Sequence, residues 1–168
     1  GLQMFGGIHR GFTPPSSGAL KILSFGSNSK NSGLDLEAEK SWNKELGLRG
    51  DISIINFEAS AFHIGIENLV AAGRGTAFKN LGKVNSVGLE LNALLSLSKS
   101  LKILPDFHLS YTYLKTAVVD GRIISNVSGK VGSEVSIKDK ELPYAPRHTL
   151  TTGISGNYFN SFSFRLDF

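Results

Sequence analysis

The run Val87-Gly88-Leu89-Glu90-Leu91-Asn92-Ala93-Leu94-Leu95-Ser96-Leu97-Ser98 decides how the rest of the chain is read. Val87, Leu89, Leu91, Ala93, Leu95 and Leu97 fall on every second position, and Gly88, Glu90, Asn92, Leu94, Ser96 and Ser98 lie between them. A period of two belongs to a β-strand, whose successive side chains point to opposite faces. The alternation outlasts the five or six residues usual for a strand of a soluble protein. After a break at 98–102, Phe107, Leu109, Tyr111 and Tyr113 alternate with Asp106, His108, Ser110 and Thr112. The two runs predict a hairpin.

Outward from that hairpin the pattern recurs. Leu150, Thr152, Ile154 and Tyr158 stand against Thr149, Thr151, Ser155 and Asn157, and then Phe162, Phe164, Leu166 and Phe168 against Ser163, Arg165 and Asp167. Upstream, Leu46 and Leu48 alternate with Glu45, Gly47 and Arg49, and Gly50 with Asp51 predicts a turn. Residues 54–68 predict a further strand with Phe57, Ala59 and Ala61 on one face and Phe62, Ile64 and Ile66 on the other. The connections at 50–53, 98–104 and 157–161 are short, whereas those at 13–40, 69–83 and 117–143 are long. In an antiparallel meander every second connection lies at the same end, so one rim carries tight turns and the other long loops. Pro14 and Pro15 stiffen the entry to one long loop; Pro143 and Pro146 close another, since proline fixes φ and removes a ladder donor.

The expected fold class is therefore all-β, an antiparallel meander of about six long strands forming part of a transmembrane β-barrel. Glu45, Glu90, Asn92, His108, Thr112, Arg165 and Asp167 would be costly in lipid, so they are expected to line the lumen, while the apolar stripe meets the bilayer. Tyr111 and Tyr113 near the long-loop end, and Tyr158 near the short-turn end, suit the aromatic girdles of such a barrel. A soluble β-sandwich with one solvated face fits the same alternation.

Composition narrows the classes. The 168 residues are 40% hydrophobic and 19% charged, with 11 Phe, which is too apolar for a disordered tail. The length would also suffice for one soluble domain. No apolar run approaches the roughly 18 residues of a membrane-spanning helix. The net charge is 18 − 14 = +4, and because Lys and Arg are scattered, no nucleic-acid partner is expected. There is no Cys, which removes disulfides and thiolate metal sites. No export signal opens the chain at Gly1, so any such signal is expected upstream.

Candidate chemistry is sparse. His9, His63, His108 and His148 lie on separate segments without ligand spacing, so no metal site is expected. Gly73-Arg74-Gly75 lacks the spacing of a phosphate loop and predicts a turn, and Glu37 and Glu39 sit in a polar loop. No serine has a triad motif around it. Neither enzymatic activity nor a cofactor is expected.

Five segments, in order, resemble TonB-dependent outer-membrane receptors, in particular the ferric dicitrate-type branch. They are Gly7-Ile8-His9-Arg10-Gly11-Phe12-Thr13-Pro14-Pro15, Glu39-Lys40-Ser41-Trp42-Asn43-Lys44-Glu45-Leu46-Gly47-Leu48-Arg49, Asn80-Leu81-Gly82-Lys83-Val84 with Gly88-Leu89-Glu90-Leu91, Leu109-Ser110-Tyr111-Thr112-Tyr113, and Leu142-Pro143-Tyr144-Ala145-Pro146-Arg147-His148. Lys44 departs from the usual Tyr of the second, and His63 stands where that strand often has Tyr. The resemblance implies a receptor with about 22 barrel strands and an N-terminal plug, of which residues 1–168 would be one partial stretch truncated at Phe168. It implies localisation in the outer membrane of a Gram-negative bacterium, a ferric chelate as ligand, contacts with lipid and lipopolysaccharide, and coupling to TonB through the absent plug. Cations at the long-loop rim, Arg10, Arg74 and Lys79, and less so Arg122, are the expected attraction for that ligand. A passive porin-like or structural barrel and a soluble carbohydrate-binding sandwich are the competing functions.

Overall fold

A computed structural model describes residues 1–15, 37–72, 78–80, 82–124, 128–129, 131–158 and 161–168. The strands are β1 Leu2–Thr13, β2 Glu39–Ile52, β3 Ile55–Glu67, β4 Val70–Ala72, β5 Phe78–Asn80, β6 Lys83–Leu95, β7 Asp106–Asp120, β8 Arg122–Ile124, β9 Glu134–Ser136, β10 His148–Tyr158 and β11 Phe162–Asp167. Seven of them form one antiparallel sheet in the order β1-β2-β3-β6-β7-β10-β11. The meander expected from the alternation is present, with the long connections at one rim and the tight ones at the other. Two small hairpins, β4-β5 and β8-β9, stand within two of the long connections.

One strand adds to the expected meander and one turn needs correction. The sheet has a seventh member, β1, which the pattern hid because Gly6, Gly7 and Arg10 interrupt its apolar positions. Pairing decides it: Leu2 to Thr13 match Gly50 to Glu39 residue for residue. The turn after β2 is at Ser53-Ile54, not Gly50-Asp51, because β2 and β3 stay paired out to Ile52 opposite Ile55. Ser53 supplies the left-handed conformation, φ 55°, that the first residue of a tight hairpin requires.

The register sorts side chains into two faces. One carries Met4, Leu46, Leu48, Ala59, Leu89, Leu91, Tyr111 and Leu150; the other carries Ser60, Glu90, Asn92, Ser110, Thr112 and Thr149. Phe62, Ile64 and Ile66 lie on the Glu90 face, near the long-loop rim, opposite Gly88, Ser86 and Val84.

The apolar face is not covered by protein. Met4 is 75% exposed, Leu89 54% and Leu150 60%, although the register sets all three near mid-height of the sheet. Among the described residues the only buried hydrophobic side chains are Val84 and Val118, a cross-strand pair on the opposite face. A sandwich would press a second sheet onto that stripe and bury its Leu, Ile and Phe. Here it lies open, as a surface built for an apolar solvent does.

Glycines fix the sheet's close approaches. Phe5 faces Gly47, Phe62 faces Gly88, His108 faces Gly153, Phe57 faces Gly50 and Phe164 faces Gly156, each pair directly opposite in register. In every case the ring lies where a Cβ would stand. An aromatic laid over a cross-strand glycine restores the apolar area that the missing side chain cannot supply.

Candidate functional site

The polar face is the candidate site, and it is built in three levels. At the tight-turn rim, Asp106 at the start of β7 accepts from the Ser98 backbone N–H at 3.0 Å and the Ser98 hydroxyl at 2.9 Å, which closes the 96–105 turn. One residue pair inward, His108 Nε2 lies 2.5 Å from Asp167 Oδ1, and Arg165 Nε donates to the same carboxylate at 3.0 and 3.1 Å. β10 contributes only Gly153 between them, so the imidazole lies flat across the strand to reach β11. Sequence reasoning placed His108 and Asp167 on the polar face but not together, since 59 residues separate them and only register joins them.

At mid-height Glu58, Ser60, Glu90, Asn92, Ser110 and Thr112 line one surface. Arg49 on β2 donates to Gln3 at 3.0 Å and stacks over the Phe5 ring at 5.9 Å. Nearer the long loops lie Glu45 and Asn43, and the Asn43 side-chain oxygen is buried with no hydrogen-bond partner. Such an acceptor costs about 1–3 kcal/mol when nothing satisfies it. Sequence reasoning did not single out Asn43, and nothing in the local pattern marks it.

Loop ends are tied to the strands at the long-loop rim. Glu37 accepts from the Asn68 amide at 2.5 Å, Glu39 accepts from the Val70 N–H at 2.6 Å, and the Asn80 amide donates to the Glu37 and Asn68 carbonyls. The expectation that Glu37 and Glu39 sit in a polar loop gives way to two anchors between the start of β2 and the β3–β4 connection. On the far side, segment 137–147 continues along β7 beyond the start of β10. The Val118 N–H donates to the Lys140 carbonyl at 2.9 Å, and the Leu142 N–H to the Thr116 hydroxyl at 2.9 Å. Glu141 and Arg147 pair across it: the guanidinium holds the Glu141 carboxyl below its usual range, and the carboxylate in turn raises the pKa of Arg147.

The predicted site residues divide. Glu45, Glu90, Asn92 and His108 share the polar face. Arg10 does not: it lies on the apolar face, with its guanidinium 5.5 Å over the Trp42 ring. Arg74 lies outside the described residues, and of Lys79 only the backbone is described, paired with Ala71 in the β4-β5 hairpin. Arg122 faces Glu134 at 3.6 Å across β8-β9. Among the described residues no three His, Asp or Glu gather as a metal site.

This geometry has counterparts. The sequence matches, over residues 1–168, the family model described as TonB dependent receptor-like, beta-barrel. The siderophore receptor PirA from Pseudomonas aeruginosa is similar in structure, with a TM-score of 0.66 at 18% identity over 99% of this chain. The ferric yersiniabactin uptake receptor FyuA from Yersinia pestis gives 0.58 at 18% over 92%, and the copper transporter OprC 0.64 at 18% over 94%. This chain spans 27%, 20% and 22% of those three chains. No curated protein matches it significantly. An all-antiparallel meander with one exposed apolar face, matched to the family model from its first residue to its last, belongs to the TonB-dependent receptor-like β-barrel family.

Proposed function

We propose that this chain is part of the barrel of an outer-membrane, TonB-coupled transport receptor of a Gram-negative bacterium, and that the whole receptor takes up a ferric chelate, ferric citrate or another ferric siderophore. The observation that carries the reading is the two-faced sheet within a whole-chain family match. Its apolar face then meets lipid and its polar face the lumen. From Val87 to Leu95 on β6 is about 27 Å along the strand at ~3.4 Å per residue, or about 21 Å across the bilayer at a tilt of ~40°. That is close to the apolar band of roughly 25 Å expected of such barrels.

On this reading the strands wall the passage, and ligand selection falls to the loops and plug. The lumen surface presents Glu58 and Glu90 at mid-height and Glu45 nearer the long loops, which would repel an anionic chelate. Arg74 and Lys79, in the connection between β3 and β6, are the cations assigned to its attraction. A plug engaging TonB completes the machinery in the intact receptor, and titratable groups of the lumen face, with the unpartnered Asn43 oxygen, are available to it. The similar structures named for siderophore, ferric yersiniabactin and copper uptake support metal import as the class.

The test is growth of an iron-starved, receptor-deficient strain complemented with the intact gene, on ferric citrate and on a panel of ferric siderophores, with and without a functional tonB. Growth on one chelate that vanishes without TonB is the expected result. Equal growth with and without TonB would make it a passive pore, and no gain on any chelate would overturn the iron assignment.

A further inference from the structure

Three stretches of chain meet at the long-loop rim around one side chain. Residues 37–39 lead from the β1–β2 connection into β2, residues 68–70 lead out of β3, and residues 80–82 lead into β6. The Asn80 carboxamide binds the first two at once. Its oxygen accepts the Glu37 backbone N–H at 3.0 Å, while its nitrogen donates to the Glu37 carbonyl at 3.0 Å and to the Asn68 carbonyl at 2.7 Å. Toward Glu37 the side chain copies the two-way exchange of one antiparallel residue pair. The other amide proton goes to a different stretch, so both donors and the acceptor are engaged.

Further bonds close the same three stretches on one another. The Asn68 amide donates to the Glu37 carboxylate at 2.5 Å, the Val70 N–H to Glu39 at 2.6 Å and the Leu69 N–H to the Gly82 carbonyl at 3.1 Å. Asn68, at φ 59°, and Gly82, at φ 107°, hold left-handed backbone here. Asn tolerates that conformation better than most residues, and at Gly82 an added Cβ would run into the Asp120 carbonyl of β7. Other side chains fail at position 80 for plain reasons. Asp keeps an acceptor but has no amide donors, and Ser has a single donor.

We propose that Asn80 is a positioning residue that clasps the β1–β2 and β3–β6 connections into one unit, so that a displacement of either is passed to the other. Its consequence for transport rests on the proposed receptor function, in which ligand selection falls to the loops. The clasp then fixes the connection assigned to ligand attraction against its neighbour before any ligand arrives. A loop ordered in advance loses less conformational freedom on binding, which raises affinity without a new contact. Asn80 touches no ligand in this account and acts through the two connections that it joins.

The test uses the intact receptor in lipid, with Asn80→Ala and the equal-sized Asn80→Asp, which loses both donors. Hydrogen–deuterium exchange is read by mass spectrometry on peptides spanning 37–41, 67–71 and, as a control within β3, 57–61. The Leu69 and Val70 amides are bonded to Gly82 and Glu39, not to Asn80. Both variants should nonetheless speed exchange in 67–71 by roughly tenfold or more, together with 37–41, and leave 57–61 unchanged. Arg122→Gln, which opens an exposed ion pair elsewhere on the rim, should move none of the three. Heat-modifiable gel migration verifies that each variant is folded. Exchange in 67–71 that stays at the wild-type rate in both folded variants would overturn the proposal. The consequence for transport is read with the chelate that supports growth of the complemented strain, labelled with iron-55. Binding to cells lacking TonB should weaken roughly tenfold in the Asn80 variants, while TonB-dependent uptake at saturating chelate stays within about twofold of wild type. Undiminished affinity in variants whose exchange has risen would overturn the positioning role. Because exchange is read without any chelate, failure of the clasp is separable from failure of the iron assignment.

Discussion

The two faces of this one sheet hold their charges in opposite ways. On the apolar face they are confined to one rim and are mostly cations, Arg10, Lys40, Lys44, Lys83 and Lys115, with Glu67 among them. The polar face carries charge at every height and is mostly acidic, with Glu45, Asp51, Glu58, Glu90, Asp106 and Asp167 against Arg49 and Arg165. Water tolerates charge anywhere along a strand, whereas hydrocarbon tolerates it only near its boundary. The net charge of +4 shows neither arrangement. What separates them is the parity of each residue and its height on the strand.

The largest effect should come from violating the apolar face at mid-height. Leu150→Arg should destabilise the intact receptor by about 2–4 kcal/mol in lipid, and Ile8→Arg, at the rim, by about 0–1. Equilibrium unfolding in liposomes measures both, and equal costs would break the contrast between stripe and rim. Next come the glycines. Gly88→Ala drives a methyl into the Phe62 ring and the Tyr113 carbonyl and should cost about 1–3 kcal/mol, while Gly65→Ala should be within about 0.5 of wild type. Comparable losses at the two sites would show that Gly65, where an added Cβ would meet nothing closer than 3.4 Å, is as tightly packed as Gly88.

On the polar face, Asp167→Asn removes the carboxylate shared by His108 and Arg165. Both partners remain near water, so a loss of about 0.5–1 kcal/mol is expected in the same unfolding assay. A loss as large as that of Leu150→Arg would mean that this face is dry.

The smallest effect is a pH dependence in the loop. The Arg147 guanidinium depresses the Glu141 carboxyl, so the pair's contribution is complete above the ordinary Glu range and fades as pH falls through the depressed value. The raised Arg147 adds nothing to this window, since it stays protonated throughout. Hydrogen exchange at the Leu142 and Val118 amides, which are bonded to Thr116 and Lys140, should accelerate on acidification. Unchanged protection in acid would show that the pair does not hold segment 137–147 in place.

Much of the architecture was legible because alternation is a direct print of strand geometry. The faces of β6 and β7, the sequence of short and long connections and the split of Phe57 and Phe62 to opposite sides could all be counted off. What escaped depended on partners distant in sequence. β1 has too few apolar residues to announce itself, and its strand character comes from twelve pairings with β2. Gly50 looked like a turn residue but serves as the seat of Phe57. Arg10 read as a rim cation for a ligand, yet parity across β1 and β2 sets it on the apolar face with Trp42. The His108–Asp167–Arg165 cluster exists only because Gly153 lets an imidazole cross β10.

The central claim is that one face of these strands meets lipid and the other water, and since residues 1–168 contain no Cys, single thiols introduced on β6 make it directly measurable. Single substitutions Val87→Cys, Leu89→Cys, Glu90→Cys, Leu91→Cys, Asn92→Cys and Ala93→Cys in the intact receptor, spin-labelled and reconstituted in lipid, would be tested for collision with oxygen and with a water-soluble nickel chelate. The account predicts high oxygen and low chelate accessibility at 87, 89, 91 and 93, and the reverse at 90 and 92. Uniform chelate accessibility along β6, or alternation of the opposite phase, would contradict it.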